Sequence, residues 1–461
     1  MTAPLPPDDR PPGLRARIAA LARRRLALWQ AALALAALIA LGVGLGLAAA
    51  RLGRPGGRAS APTPAEPPAA TQVARAETAT PAPTRPPTGT PVPTPTGLPT
   101  AAPSATPTPT ATPTIDPTVL ASIPTATTLP EGMPAPVYPP GDAAFGRFEL
   151  GGQVNHAIDH PDQMKVSGMR WVKFQLTWEA GYQASRAWPL IEQGRQRGFK
   201  VLLSIVGGQK RPAEIDMPAF LEFLHGVAYY GPDAIEIWNE PNYYFEWPQG
   251  QVDGGNYVRE MLAPAYNAIK EVNPNIMVIS GAPLATGLYY SEGGCSAQGY
   301  GCDDWLFLQQ MASMGAANYM DCVGVHYNTG ATPPTASSGH PADPGYQHYS
   351  WYFGSMLQLY GGTFGHKVCF TELGYLSGEG YGGVPGSFDW AAGTSAADQA
   401  TWLAQAAQIA RQSGSVRLMI VWNVDFKYWG ADDPKAGYAI IRPDGSCLAC
   451  EMLGRVMRST G

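Results

Sequence analysis

The feature that most constrains this chain is an eightfold beat. From residue 147 onward, short apolar runs alternate with stretches whose apolar residues recur every three or four positions. The runs are 148–155, 169–178, 200–208, 233–240, 276–284, 321–328, 367–375 and 417–425. They are continuously apolar, not alternating, so the sheet they form is covered on both faces. The segments between them, such as MPAFLEFLHGVAYYG and AADQATWLAQAAQIARQSG, close on Gly or Asn-Pro, as helices do. Strand and helix in alternation give a parallel sheet. Eight such units in about 315 residues match a (β/α)8 TIM barrel, an α/β fold. A doubly wound open sheet is the structural alternative. LGGQVNH, at the first run, does not fit the Gly-rich phosphate loop of that fold.

Composition partitions the rest. Residues 1–25 form a basic, Arg-rich N-terminus. Residues 26–50 contain no charged side chain and are long enough to cross a bilayer as a helix. A transmembrane anchor is favoured over a cleaved signal peptide, whose apolar core usually runs about 7–15 residues. Ala48, Ala49 and Ala50 would supply the cleavage site in the competing reading. Arginines on the N-terminal side place that end in the cytoplasm and the remainder outside. Residues 51–140 are a Pro/Thr-rich linker with too few large apolar residues for a core, hence an extended stalk. Residues 141–461 are the globular domain. The chain's net charge is −5, with +7 in residues 1–58 and −2 in 59–140, which leaves −10 for the domain. An acidic domain argues against nucleic acid as a partner.

All six cysteines lie after residue 290. Cys295 and Cys302 bracket a Gly-containing loop and are expected to pair. Cys447 and Cys450 form CLAC, read as a local disulfide or two free thiols. A metal or redox reading would need a second pair or nearby histidines. Cys322 and Cys369 fall inside apolar strands and are expected as buried thiols.

Active sites of barrels sit at the C-terminal ends of the strands. There the sequence places Trp178, Asn239-Glu240, His326-Tyr327-Asn328, Thr371-Glu372 and Trp422-Asn423, with Asp425 just beyond. In IEIWNEPN the apolar strand runs into Glu240, and Pro241, which has no N–H, ends the ladder. A carboxyl is thus fixed at a strand tip. Two Glu residues three strands apart on one rim suit glycoside hydrolysis, which needs one protonated and one ionised carboxyl. Tyr243, Tyr244, Phe245, Trp247, Trp351, Trp390, Tyr428 and Trp429 follow strand tips. Singly, each is ordinarily core; together they suit the apolar faces of sugars.

EIWNEPN followed by FTELGY resembles the retaining β-glycosidases of glycoside hydrolase clan A, family 39 first and family 5 next, over roughly residues 145–460. The resemblance implies that Glu240 is the general acid/base and Glu372 the nucleophile. It implies Asn239 on the sugar 2-hydroxyl, Tyr327 contacting or orienting the nucleophile, His326 binding substrate, and Trp422 flooring the attacked sugar's subsite. Trp178 is read as a further substrate-binding ring on the rim. A carbohydrate partner is implied; no cofactor and no metal is expected. Retention implies carboxyl groups about 5–5.5 Å apart, against about 6.5–9.5 Å for inversion.

The pattern is not complete. The Arg that family 5 carries near its nucleophile has no clear equivalent, and strand 2 offers Lys173 instead. If Glu240 points inward, the period of two turns Trp238 and Glu236 inward with it. Glu236 then needs a partner, and Lys173, inward with Gln175, is the expected one, as a structural and not a catalytic pair. His156 and His160, four apart, are read as the start of a loop. Glu292, Glu379 and Asp425 are read as solvated loop charges. The alternative to an enzyme is a non-catalytic cell-surface carbohydrate-binding protein on the same barrel; the presence of both carboxylates favours the enzyme.

Overall fold

The computed structural model describes residues 146–459 except 344, 346 and 347. The predicted membrane span 26–50 and linker 51–140 lie outside the described residues, as does the basic segment 1–25. Among the described residues no helix is long and apolar enough to cross a membrane.

The eight runs are the eight strands: β1 (Glu149–Gln153), β2 (Trp171–Trp178), β3 (Lys200–Gly207), β4 (Ala234–Ile237), β5 (Met277–Ser280), β6 (Val323–Gly330), β7 (Val368–Tyr375) and β8 (Val416–Val421). A helix follows each: α1 (Pro161–Val166), α2 (Trp188–Gln196), α3 (Met217–Tyr230), α4 (Ala263–Val272), α5 (Asp304–Ser313), α6 (Phe353–Phe364), α7 (Ala396–Ser413) and α8 (Leu448–Arg458). Local chemistry sets their ends. Asp216 caps α3 by accepting from the Ala219 N–H, and Gly231 stops it at φ +68°. A Ser395/Asp398 capping box opens α7.

All strand pairs are parallel, in the order β5-β4-β3-β2-β1-β8-β7-β6. The ring closes at β5 and β6 through a single bridge, Ile279 to Cys322. Two backbone bonds flank it, Ser280 N–H to Cys322 O at 3.2 Å and Asp321 N–H to Val278 O at 2.8 Å. Gly324 is required there, because any Cβ would collide with the Ser280 carbonyl. The predicted (β/α)8 barrel is therefore the observed one.

Two apolar layers result. Trp171, Leu202, Ala234, Met277, Ile279, Cys322, Cys369, Leu418 and Ile420 fill the barrel interior. A larger layer lies between barrel and helices. Gly151 makes room for Trp171, since a Cβ there would stand 2.7 Å from the Trp171 Cβ. Towards the strand N-termini, Glu149 accepts from Trp171 Nε1 at 2.7 Å and Arg417 Nη2 at 2.9 Å, and pairs with Lys200 at 3.1 Å. Burial raises the Glu149 carboxyl, but the Trp171 bond and the Arg417 and Lys200 charges outweigh it and hold the pKa below the ordinary value.

Cys295–Cys302 and Cys447–Cys450 are disulfides. The expectation of buried thiols at Cys322 and Cys369 is corrected: they are bonded, β6 to β7, inside the barrel. Their Cα atoms lie 5.9 Å apart, a separation that adjacent strands supply and a linear sequence does not reveal. The closed loop has a sequence separation of 47, so replacing both by Ser should cost about 4 kcal/mol. Thermal unfolding of the double variant checks this; an unchanged midpoint would show that the bridge contributes nothing.

Candidate active site

The site begins where β4 ends. Trp238 (φ +75°) and Glu240 (φ +43°) both occupy left-handed backbone, which costs a non-Gly residue of order 1–3 kcal/mol. Packing holds the distortion. The Trp238 indole donates from Nε1 to the Glu246 carbonyl at 2.8 Å and lies edge-on to Phe220 (5.4 Å), Trp178 (6.3 Å) and Trp247 (6.3 Å). The Glu240 N–H donates to the Ala282 carbonyl at 3.0 Å. Trp238 thus breaks the alternation and packs with the helix layer, not inward as expected; positive φ resets the direction of its side chain.

Trp178 shares that outer pocket, stacked edge-on against Phe220 at 5.0 Å and almost fully buried. The ring expected on the active-site rim thus packs in the outer layer and is not turned to the barrel axis with Lys173 and Gln175. Lys173 and Gln175 point inward from β2, so Trp178, an odd number of steps away, points outward. Trp247 is likewise core, not platform.

Glu372, on β7, stands among donors. Lys173 Nζ lies 3.2 Å from Oε1, Asn328 Nδ2 donates to Oε2 at 3.1 Å, and Gln175 Nε2 donates to Oε1 at 3.4 Å. Burial alone would raise this carboxyl. The charges of Lys173 and His326 and the Asn328 bond outweigh burial and hold it below the ordinary carboxylate value, hence ionised. Glu240 is more exposed than Glu372, 24% against 7% of its side chain, and its Oε1 lies 3.1 Å from His326 Nδ1. That same nitrogen is 3.9 Å from Glu372 Oε2. One imidazole nitrogen therefore joins the two predicted catalytic carboxyls, and their oxygens can be no farther apart than the sum of those distances.

Beneath them runs a buried charge chain. Lys173 lies 3.4 Å from Glu236 Oε2, so the expected pair forms. It is not merely structural, because the same ammonium contacts Glu372 and donates to the Thr371 carbonyl at 3.1 Å. Burial lowers the Lys173 pKa, yet Glu236 and Glu372 outweigh it and raise the value above the ordinary one. His326 follows the same logic: burial lowers its pKa, Glu372 and Glu240 outweigh burial, and the net shift is upward.

Tyr327 does not touch Glu372. Its hydroxyl donates to the Trp351 carbonyl at 2.9 Å and its ring packs on Phe353 and Tyr375. The expected contact to the nucleophile is made by Asn328. A register shift after Val325 aligns His326 with Glu372, and alternation then turns His326 and Asn328 inward and Tyr327 outward. Asn328 was legible by that rule once His326 was taken as inward. Lys173's second partner was not, because it depends on how β2 and β7 face each other across the barrel.

Trp422 is half-buried at the end of β8, edge-on to Tyr438 at 4.6 Å, and the Tyr438 hydroxyl donates to the Asn328 carbonyl at 2.8 Å. Asn239 is nearly buried, and its Oδ1 and that of Asn328 have no hydrogen-bond partner among the described residues. Such acceptors suit the hydroxyl donors of a polyol. Tyr243, Tyr244 and Phe245, half-buried, form a ring cluster three residues beyond Glu240. Glu292 and Glu379 are exposed, as expected. Asp425 is corrected: its side chain is only 9% exposed and lies 3.7 Å from His160, and burial pushes its carboxyl up. Two bonds fix the preceding residue: the Val424 N–H donates to the Gln153 carbonyl on β1 at 2.9 Å, and the Val424 carbonyl accepts from the Ile441 N–H at 3.0 Å.

No known family model matches this sequence, nor does any curated protein. Solved structures that it resembles carry clan A family numbers. A family 39 glycoside hydrolase from the gut symbiont Bacteroides cellulosilyticus WH2 matches at 16% identity and TM-score 0.46, over 70% of this chain and 65% of that one. This chain thus spans less than two thirds of that structure's length. The GH53 catalytic domain of Ignisphaera aggregans matches at 17% identity and TM-score 0.45, over 73% of this chain and 100% of that one. The GH5-4 broad specificity endoglucanase from Clostridium longisporum matches at 12% identity and TM-score 0.44, over 67% and 96%.

Proposed function

We propose that this chain is a retaining glycoside hydrolase of clan A type acting on β-linked sugars or polysaccharide. The observation that carries the reading is the convergence of Glu240 and Glu372, from β4 and β7, on His326 Nδ1. Retention is proposed from the resemblance of the two strand-end motifs, and it requires carboxyl groups about 5–5.5 Å apart. Glu372, ionised, attacks the anomeric carbon. Glu240, protonated, gives its proton to the glycosidic oxygen as the C–O bond breaks. Glu240, now a carboxylate, then takes a proton from water; the water oxygen bonds to the anomeric carbon and Glu372 leaves. Asn239 binds the 2-hydroxyl, His326 and Trp422 line the sugar, and Asn328 holds the nucleophile. The segment 26–50 anchors the chain in the cell membrane, and 51–140 holds the domain outside.

The test is hydrolysis by the full-length chain of aryl β-glycosides and a panel of β-linked polysaccharides, with the anomer first released followed by NMR. Turnover with a β product first supports the reading. Binding without hydrolysis by wild type would move it to a carbohydrate-binding protein. Asn328→Ala removes one hydrogen bond to a charged group, so kcat should fall about 10–100-fold. An unchanged kcat would remove Asn328 from the site.

A further inference from the structure

Glu236 is the one carboxylate of the buried chain with no role in the reaction just described. It is fully buried, and neither of its oxygens forms a hydrogen bond of good geometry. Such a group is costly, and replacing it by an apolar side chain would be the simpler way to fill a barrel. Its surroundings explain why a charge stands there. Oε2 lies 3.4 Å from Lys173 Nζ, and Oε1 lies 4.0 Å from His326 Nε2. These are the two cationic side chains that reach Glu372 and Glu240.

We propose, resting on the reading above, that Glu236 is a positioning residue that keeps one proton on the His326–Glu240 pair and so arms Glu240 as the acid. The geometry specifies how. His326 Nδ1 faces Glu240, so the two groups share a single proton: either His326 is charged and donates, or it is neutral and accepts from a protonated Glu240. In both cases Nε2 must carry its own hydrogen, and Oε1 of Glu236 is the acceptor nearest to it. A negative charge on that side stabilises the extra proton. The charged groups facing His326 are Glu236 and Glu240 at and after β4, Glu372 on β7 and Lys173 on β2. Lys173 opposes the effect, and Glu236 screens it by pairing with the ammonium. Tyr257, near Glu236, is held neutral by burial and does not compete.

The experiment is NMR of the full-length chain labelled with ¹⁵N-histidine, the His326 signals assigned from a His326→Gln spectrum. In wild type, His326 Nε2 should carry hydrogen at pH 7, with one further proton shared between Nδ1 and Glu240. A neutral imidazole with an unprotonated Nε2 overturns the proposal, and this measurement needs no variant to fold. In Glu236→Gln, which keeps the shape and removes the charge, proton affinity at His326 should fall about tenfold or more. The alkaline limb of the pH–rate profile should move down with it. A His326 titration that does not move overturns the proposal, even where Glu236→Gln lowers stability, since a purely structural residue would leave the titration in place. If wild type hydrolyses nothing, the glycosidase reading fails while the NMR result still decides the proton-holding role.

Discussion

Glu372→Ala should reduce hydrolysis by on the order of 10⁴–10⁶-fold, the scale seen when a covalent nucleophile is removed. The loss should be in kcat and kcat/KM together, because the missing bond forms only along the reaction path. The variant leaves a space lined by Lys173, Gln175 and Asn328, three donors that had faced the carboxylate. A small anion such as azide should enter it and attack the anomeric carbon from the same side, in one displacement. The product from a β-glycoside would then be the α-glycosyl azide. The matching Glu240→Ala variant should lose about 10²–10⁴-fold. With azide it should give the β-glycosyl azide, since there azide opens the glycosyl–enzyme ester. Product anomers read by NMR check the assignment. The same anomer from both variants would break the division of roles between the two residues.

Lys173→Met should cost about 3–5 kcal/mol of stability near neutral pH, because it strands two buried carboxylates beside an apolar side chain. The pH dependence distinguishes this from lost packing. In wild type the folded Glu372 pKa is depressed, so its contribution is present above the ordinary Glu value and is lost as pH falls through the folded value. Lys173 is shifted upward, so its contribution is complete below the ordinary Lys value and is lost only as pH rises through the folded one. These two groups therefore add no pH dependence between mildly acidic and mildly alkaline pH, where the raised His326 alone of this chain loses its contribution as pH rises through its folded value. In Lys173→Met, the largest charge opposing burial at Glu372 is gone, so its carboxyl takes up a proton more readily on folding. The deficit should shrink as pH falls. Denaturant unfolding at several pH values checks this; a deficit independent of pH would mean that the ammonium acts by packing alone.

Much of this was written in the chain. The eight strands are where apolar continuity places them, because a sheet covered on both faces leaves no polar interruptions to confuse the period. Glu240 and Glu372 were legible because Pro241 and the strand periodicity fix their place on the rim. What was not legible depended on local departures from period two. Positive φ at Trp238 turns an indole out of the barrel, and nothing in WNEP announces a left-handed Trp. The register shift after Val325 exchanges Tyr327 for Asn328 beside Glu372. Trp178 stands at a strand end but on the outer face, which position in the strand alone does not distinguish. The Cys322–Cys369 bond required knowing that two apolar strands are neighbours.

The place where the ring closes has a consequence for the chemistry. Counting the short way round, β5 and β6 stand between Glu240 on β4 and Glu372 on β7, and that junction is held by one bridge and two backbone bonds. The disulfide ties β6 to β7, on the Glu372 side of the junction, and leaves the junction itself unsewn. The spacing of the two carboxyls is thus not dictated by a continuous ladder. It is gauged by the imidazole of His326, which leans across from β6 to reach the acid. The barrel works here less as a rigid cylinder than as a caliper, with its jaws on either side of the weakest seam and an imidazole ring as the spacer between them.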